Sequence, residues 1–431
     1  MFINTFNEFE YNLLLKSFDN PSYRGIRMNP KKMDGINIFS NLELHPFVKN
    51  AYIYEKIDQN YGKIPFHAMG CYYIQEPSAM LVGELLDVKE DDYIADLCAA
   101  PGGKSTHVGL KLNDIGFLLT NDINSKRALD LSENIERMGI RNALVINESI
   151  DKIANNYQGL FDKVILDAPC SGEGMFRKND LAKLDWSMEK VNRCVDIQKS
   201  IILDAYKLLK YDGEMIYSTC TYNKHENEEM IQYLLDNTNA ELIMLPKIDG
   251  VLRGINMDEA IRLLPSHFKG EGHFICKIRC KDHHEIISKP RKKEQIQQSL
   301  LKVFLEFAKA NLNIKFDQNR LFLNKEHLYY LPNVNISTKN IHILRNGLYL
   351  GEIIKNRFEP SHSLAISSSI DEWKNVVSLD DEQINKYLKG ESFNIDGKNG
   401  YCLVTYKNYS VGYAKLVNGT LKNHYPKGLR R

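Results

Sequence analysis

The 431-residue sequence has no run approaching the ~18 apolar residues of a membrane-spanning helix. A helical membrane protein is therefore not expected. The first ten residues, Met1 to Glu10, lack a basic segment followed by an apolar one, so no secretory leader is expected either. Charge of one sign is also missing. The formal net charge is +1, so any attraction for nucleic acid must come from local patches rather than a global field. Cysteine is sparse, at positions 71, 98, 170, 194, 220, 276, 280 and 402, with no Cys-x-x-Cys pair. That is too thin for a disulfide framework, and free thiols in a reducing, cytoplasmic compartment are expected. Cys276 and Cys280 lie in Gly272-His-Phe-Ile-Cys-Lys-Ile-Arg-Cys280, an alternating pattern that reads as a strand. They read as packing residues, and no metal site is expected.

What is present is ordinary globular material, 43% hydrophobic and 26% charged, in a chain long enough for two or three domains. From about residue 72 to 281, strand-like and helix-like stretches alternate. Asp92–Leu97, Gly116–Asp122, Ala143–Asn147, Lys163–Leu166 and Gly213–Tyr217 read as strands. Ser125–Met138, with Ala128, Leu131, Ile135 and Met138 at helical spacing, and Val191–Leu209 read as helices. Repeated βα units imply an α/β fold with a mostly parallel, doubly wound sheet. Arg262–Ile278 reads as a closing hairpin. Residues 1–71 are rich in aromatic and basic residues, among them Tyr23, Arg24, Arg27, Lys31, Lys32, Tyr52 and Tyr54, and suggest a small accessory domain. Residues 282–299 carry a basic composition shift and read as a linker. Residues 300–431 open with a helix and continue in short strands, as a small mixed α/β or barrel-like domain.

Three motifs sit where such a sheet binds ligands, at strand carboxyl ends. Asp96-Leu-Cys-Ala-Ala-Pro-Gly-Gly-Lys104 joins a strand to a helix through small residues. Gly102 and Gly103 allow close backbone approach, and the helix start offers free N–H groups to an anionic group such as a carboxylate. The pattern is neither a dinucleotide fingerprint nor a P-loop. Asp122 ends the next strand, where an acid can accept from both ribose hydroxyls of a nucleoside or can cap the following helix. The other two motifs each carry a thiol: Asp167-Ala-Pro-Cys-Ser-Gly172 with Cys170, and Tyr217-Ser-Thr-Cys-Thr221 with Cys220. Two thiols at two strand ends suggest covalent chemistry, and the local sequence alone does not choose between them.

These motifs, with Gln75-Glu-Pro-Ser-Ala79, resemble the RNA cytosine carbon-5 methyltransferases of the NOL1/NOP2/Sun family. The run Val417–Arg430 resembles the end of the PUA-like region of its RsmF-like branch, which acts on small-subunit ribosomal RNA. The resemblance implies a Rossmann-like class I core with a seven-stranded sheet, an N-terminal RNA-binding region and a C-terminal PUA-like domain. It implies S-adenosylmethionine as cofactor. Cys98, Ala99, Ala100, Pro101, Gly102, Gly103 and Lys104 would wrap its methionine end, Asp122 would hold the ribose, Glu148 (or Ser149) would lie on the adenine side, and Asp167 would stand beside the transferring methyl. Lys104 and Asp167 are counted with the catalytic residues. Roles for the thiols also come from the family: Cys220 attacks carbon 6 of the cytosine, and Cys170 assists release of the methylated base.

The implied partner is ribosomal RNA, recognised within an assembled small subunit by a monomer, with no DNA and no membrane involved. Gly172–Lys178 would form a lip over an unstacked base, with Phe176 stacking and Arg177 and Lys178 on phosphate. Lys422, His424, Lys427, Arg430 and Arg431 form a basic end. Two other readings stand beside this one: a transfer-RNA methyltransferase of the same chemistry, and an RNA-binding assembly factor without catalysis.

Overall fold

The computed structural model describes residues 5–33, 39, 42–55, 60–178, 183–292 and 295–431. The first four residues, part of the stretch inspected for a leader, lie outside them. The expected strands form as β1 (Tyr93–Asp96), β2 (Phe117–Asn121), β3 (Ala143–Ile146), β4 (Phe161–Asp167) and β5 (Leu209–Thr219). They pair in parallel in the order β3-β2-β1-β4-β5. The closing hairpin is β6 (Met257–Leu263) with β7 (His273–Arg279), and β7 runs antiparallel to β5. Because both faces are covered, the strands are apolar on both sides. Phe117 and Leu119 point into one buried cluster, and Leu118 points into the other.

The intervening helices are α1 (Gly103–Lys111), α2 (Ser125–Arg137), α3 (Ile150–Tyr157), α4 (Met188–Lys207) and α5 (Glu228–Asn237). Val108 of α1 and Leu131 and Ile135 of α2 pack on one face. Ile153 of α3, Ile202 of α4 and Leu234 of α5 pack on the other. The sheet is thus doubly wound, and each crossover brings its strand's carboxyl end to one edge.

The seven expected strands lie inside a sheet of ten. Glu241–Ile243 pairs with β7, and Leu252–Gly254 pairs with β6. The third addition comes from far along the chain: Ile343–Asn346 runs antiparallel to β3, with Ile343 opposite Ile146. The C-terminal part is therefore joined to the ten-stranded sheet by backbone hydrogen bonds, which an isolated appended domain would not show. The basic segment read as a linker is tied down as well. Ile287 N–H donates to Gln158 O (3.0 Å), and Ser337 N–H donates to Lys289 O (2.7 Å).

The N-terminal segment forms a four-stranded antiparallel sheet from Tyr23–Met28, Glu43–Leu44, Ala51–Glu55 and Tyr72–Gln75. It shares a buried cluster with the last part of the chain, where Ile26, Met28, Met69 and Tyr72 meet Ile384, Tyr387, Val404 and Leu421. Several basic residues of this region are used inside the fold. Arg27 is 2% exposed and ties its sheet to the start of α1: Nε donates to Gln75 Oε1 (3.2 Å), and Nη2 donates to Gly103 O (3.1 Å) and Thr106 Oγ1 (2.8 Å). Lys32 Nζ donates to Met69 O and Ile366 O, and Lys31 pairs with Asp114. These cations hold parts of the fold together.

Arg27→Ala removes the buried hydrogen bonds to Gln75 Oε1, Gly103 O and Thr106 Oγ1. A loss of about 2–4 kcal/mol in urea unfolding is expected. An unfolding midpoint equal to wild type would show that Arg27 does not join the two parts.

Candidate active site at the carboxyl edge of the sheet

The strand register sets the site. Asp167 at the end of β4 is the direct partner of Ser218 on β5. Both chains then leave the sheet side by side, reaching Cys170 three residues after Asp167 and Cys220 two residues after Ser218. The two sulfur atoms are 3.3 Å apart and both cysteines are half-buried and free. The Cys170 thiol is held well above its ordinary value, first by its hydrogen bond with Cys220 and then by burial. Either sulfur can donate S–H to the other.

On the next strand, the loop after β1 folds over its own sheet edge. Ala99 N–H donates to Asn121 O (2.8 Å), Gly102 N–H donates to Ala99 O (2.8 Å), and Gly102 adopts a φ of 110°. A side chain at Gly102 would be strained and would press within 3.1 Å of Leu131, so the loop can pass this close to α2 only as glycine. Gly103 opens α1, and a Cβ there would stand 3.2 Å from the Gln75 amide. Lys104 reaches across from the helix start, and its Nζ donates to Asp167 Oδ2 at 2.7 Å. Burial opposes the Lys104 charge, but Asp167 beside it holds the ammonium above its ordinary value. Burial likewise opposes the Asp167 charge; Lys104 and then His273 outweigh it and hold the carboxyl below its ordinary value. Ser218 Oγ donates to Asp167 Oδ1 (2.7 Å), which fixes the plane of the carboxylate.

A cavity of about 690 Å³ lies along this edge. Cys98, Asp122, Asp167, Cys170 and Cys220 share its wall with Ser149, Ile150 and Asp151 and with Ile197, Ser200 and Asp204 of α4. Asp122 is 2% exposed. Its Oδ2 accepts from Ala100 N–H (3.2 Å) and its Oδ1 accepts from Asn124 N–H (2.9 Å), with Arg127 at 3.4 Å. The helix cap itself is Asn124, whose Oδ1 accepts from Lys126 and Arg127 N–H. Asp122 is therefore braced rather than spent on capping, and Oδ1, with one donor, keeps a lone pair. Burial pushes the Cys98 thiol up, consistent with a wall residue that does not react.

Other expected site residues stand elsewhere. Ala99 and Ala100 are buried in the loop, and Pro101 lines a different cavity beside α2. The Glu148 carboxylate turns to Lys152 Nζ (2.8 Å) and His342 N–H (2.7 Å), while Ser149 forms the cavity wall at that level. The lip is also different. Phe176 is 1% exposed, packed with Leu14, Tyr222 and Leu264, and has no face to stack on a base. Arg177 donates to the Glu271 carboxylate, Gly270 O and Ser17 O, so it braces the loop instead of meeting phosphate. Lys178 is exposed. Gln75-Glu-Pro-Ser78 is a brace as well: Glu76 caps the Pro77–Leu85 helix and accepts Glu271 N–H (2.7 Å).

Sequence reading missed the buried polar groups behind the thiols. Glu173 is 1% exposed and Glu226 is 0% exposed. Each accepts backbone N–H groups from the opposite cysteine loop, Glu173 from Tyr222 and Asn223, and Glu226 from Ser171. His273 was also missed; it lies 3.8 Å from Asp167 Oδ1. Such residues carry no local pattern, because their partners are about 50 to 100 positions away.

Comparison with known proteins gives a family for every part of this architecture. The description "16S rRNA methyltransferase RsmB/F" matches residues 83–279. The N-terminal domain of the 16S rRNA methyltransferase RsmF matches 2–77, the first RsmF C-terminal domain 306–367, and the RsmF PUA domain 374–431. Among curated relatives, the ribosomal RNA small subunit methyltransferase F of Shewanella piezotolerans is 28% identical, over 95% of this chain and 91% of that protein. The protein of the same name from Vibrio vulnificus is 29% identical, over 87% and 83%. A solved methyltransferase homologue from Pyrococcus horikoshii is 28% identical, with a TM-score of 0.54 over 62% of this chain and 90% of its own. The fold is shared too with NSun6 of Pyrococcus horikoshii, solved with SFG, at 20% identity and a TM-score of 0.59 over 65% and 97%.

The cofactor of such enzymes is S-adenosylmethionine, and the residues present fit it. The cavity volume falls within the ~300–1,000 Å³ range of small-ligand sites. Its wall carries Leu97 and Cys98 at the end of β1 and the braced Asp122. With its parallel core, its glycine loop, its two thiol loops and a PUA region at its end, the chain belongs to the RsmB/F family of 16S rRNA methyltransferases.

Proposed function

We propose that the chain methylates carbon 5 of a cytosine in 16S ribosomal RNA, through a covalent adduct with Cys220 and with Cys170 assisting release. The observation that carries this reading is the pair of thiols 3.3 Å apart on a cavity whose wall also carries Asp167, itself paired with Lys104. Carbon 5 of cytosine is a poor nucleophile. Addition of a thiolate to carbon 6 makes carbon 5 enamine-like, and a base must later remove the carbon-5 proton so that the thiolate can leave. The chemistry therefore needs a nucleophile and a second proton-handling group at nearly the same point. Two adjacent thiols meet that need.

S-adenosylmethionine, when bound, supplies an electrophilic methyl group. The chain's own residues do the rest. The N–H groups opening α1 and the loop from Cys98 to Lys104 hold its methionine end, and Asp122 accepts from the ribose hydroxyls. Ser149 and Ile150 flank the adenine, and Glu148 supports that wall through Lys152. Asp167, ionised and fixed by Lys104 and Ser218, faces the amino side of the cytosine and polarises the ring. The raised Cys170 thiol is the poorer thiolate at rest, which supports Cys220 as the attacking group; Cys170 would assist release of the methylated base only once it has given up its own proton. The RNA is held by the PUA-like region with the exposed basic end at Lys422, Lys427, Arg430 and Arg431. The net charge of +1 favours recognition of an assembled small subunit over naked RNA. We infer a monomer acting in the cytoplasm. Among the described residues, no helix is long and apolar enough to cross a membrane.

Two outcomes follow. Cys220→Ala should abolish methyl transfer, and Cys170→Ala should accumulate a denaturant-resistant protein–RNA adduct visible on a gel. An adduct formed by Cys220→Ala and not by Cys170→Ala would reverse the roles. The second outcome concerns the ion pair. Asp167 has a lowered value and Lys104 a raised one, so the pair is complete between the ordinary values of 3.8 and 10.5. It is lost as pH falls through the depressed Asp167 value, or rises through the raised Lys104 value. Asp167→Asn should cost roughly 2–4 kcal/mol in urea unfolding at pH 7, because a buried ammonium loses its partner. The gap to wild type should close as pH falls below 3.8. A gap independent of pH would show that the charge pair is not what Asp167 contributes.

A further inference from the structure

Behind the two thiols runs a chain of four oxygen-bearing side chains. Glu226 Oε2 lies 2.5 Å from Ser171 Oγ, Ser171 Oγ lies 2.8 Å from Thr221 Oγ1, and Thr221 Oγ1 lies 2.9 Å from Glu173 Oε2. Ser171 directly follows Cys170, and Thr221 directly follows Cys220. All four residues are buried. Among the described residues, no lysine or arginine forms an ion pair with Glu173 or Glu226.

Counting hydrogens decides the protonation of this chain. Three oxygen–oxygen contacts at hydrogen-bond distance each need one hydrogen. The Ser171 and Thr221 hydroxyls supply two. The third must be carried by a carboxyl group at one end.

The two ends are not equivalent. Glu173 is surrounded by donors: Tyr222 N–H (3.0 Å), Asn223 N–H (2.9 Å) and Thr221 at Oε2, and Trp186 Nε1–H (3.0 Å) at Oε1. It acts as an acceptor only. Glu226 Oε1 accepts Ser171 N–H (2.8 Å) and Gln198 Nε2–H (3.1 Å), and Oε2 accepts Asn223 Nδ2–H (2.5 Å). The Asn223 orientation is fixed because its Oδ1 accepts Glu226 N–H (3.0 Å). This leaves Glu226 Oε2 free to carry a proton toward Ser171.

We propose that Glu226 is held as the neutral acid, and that the directed chain Glu226–Ser171–Thr221–Glu173 is the positioning element that keeps Cys170 and Cys220 in register. This rests on the methyl-transfer reading only for its consequence; the protonation stands on the hydrogen count. The groups facing Glu226 agree. Burial raises its value first, its hydrogen bonds from Ser171 and Asn223 oppose, and Glu173 adds to the rise. From β5, the Tyr217 hydroxyl donates to Glu226 O (2.7 Å); from α4, Cys194 and Gln198 face it, and neither is a cation. Ionising Glu226 would place two carboxylates on a chain with a hydrogen missing, and the two cysteine loops would be pushed apart.

Two independent readouts test this. The first uses the whole protein without RNA. The infrared difference spectrum of wild type minus Glu226→Gln at neutral pH should contain the carbonyl stretch of an un-ionised carboxylic acid, shifted in heavy water. A carboxylate band in its place would overturn the proposal whatever the enzyme does. The second compares neutral isosteres in a Cys170→Ala background, reading RNA adduct formed. Glutamine at 226 keeps a donor to Ser171 and meets one competing donor, Asn223 Nδ2–H, whereas glutamine at 173 meets donors at both places, so Glu226→Gln should form more adduct than Glu226→Ala. Glutamine at 173 turns an NH2 toward a donor, so Glu173→Gln should recover none relative to Glu173→Ala. Equal behaviour at the two positions would overturn the assignment of the proton to Glu226. Absence of adduct in the Cys170→Ala parent itself would instead count against the methyl-transfer reading, with the infrared result unaffected.

Discussion

Everything at the active edge depends on the parallel pairing of β4 with β5. That pairing aligns Asp167 with Ser218, and the alignment brings two loops out of the sheet together. Neither loop could place its sulfur alone. A thiol on a free loop samples several ångströms, whereas these two meet at 3.3 Å because the strands beneath them share a ladder of backbone hydrogen bonds. Sheet register thereby sets two thiols side by side at one point of the edge.

The sheet brings the loops to the edge, and buried polar groups hold them there. Glu173 and Glu226 each accept backbone N–H groups from the opposite loop, so each loop satisfies the other's orphan donors. Such groups are costly to bury and costly to leave unpaired, which makes the arrangement nearly all-or-none. A similar logic ties the rest of the molecule to the site. Arg27 fastens the N-terminal sheet to the start of α1, and Ile343–Asn346 extends the sheet beyond β3. The accessory regions therefore sit rigidly on the catalytic core, a suitable frame for presenting one nucleotide of a large RNA.

Much of this was legible in the sequence. Strand and helix periodicity located β1 to β5, α2 and α4, and the small-residue loop after β1 stands where its glycines predicted. The legible features are local ones: period, turn chemistry, and motif. The errors share one cause, since long-range partners leave no local trace. Phe176 and Arg177 look like surface residues until Leu14, Tyr222 and Glu271 are brought against them. Arg27 and Lys32 read only as basic residues of an accessory domain, yet they bond to backbone carbonyls and side chains of other parts of the fold. Glu148 reads as a pocket residue, yet His342, almost two hundred positions later, takes its carboxylate. The hydrogen-bonded chain from Glu226 to Glu173 was invisible for the same reason.

The most direct test of the account is bisulfite sequencing of 16S ribosomal RNA from cells lacking the gene, complemented with wild type or with Cys220→Ala. The account predicts a cytosine that is protected from conversion with wild type and converted with Cys220→Ala and with no complementation. Identical conversion patterns in all three would contradict it.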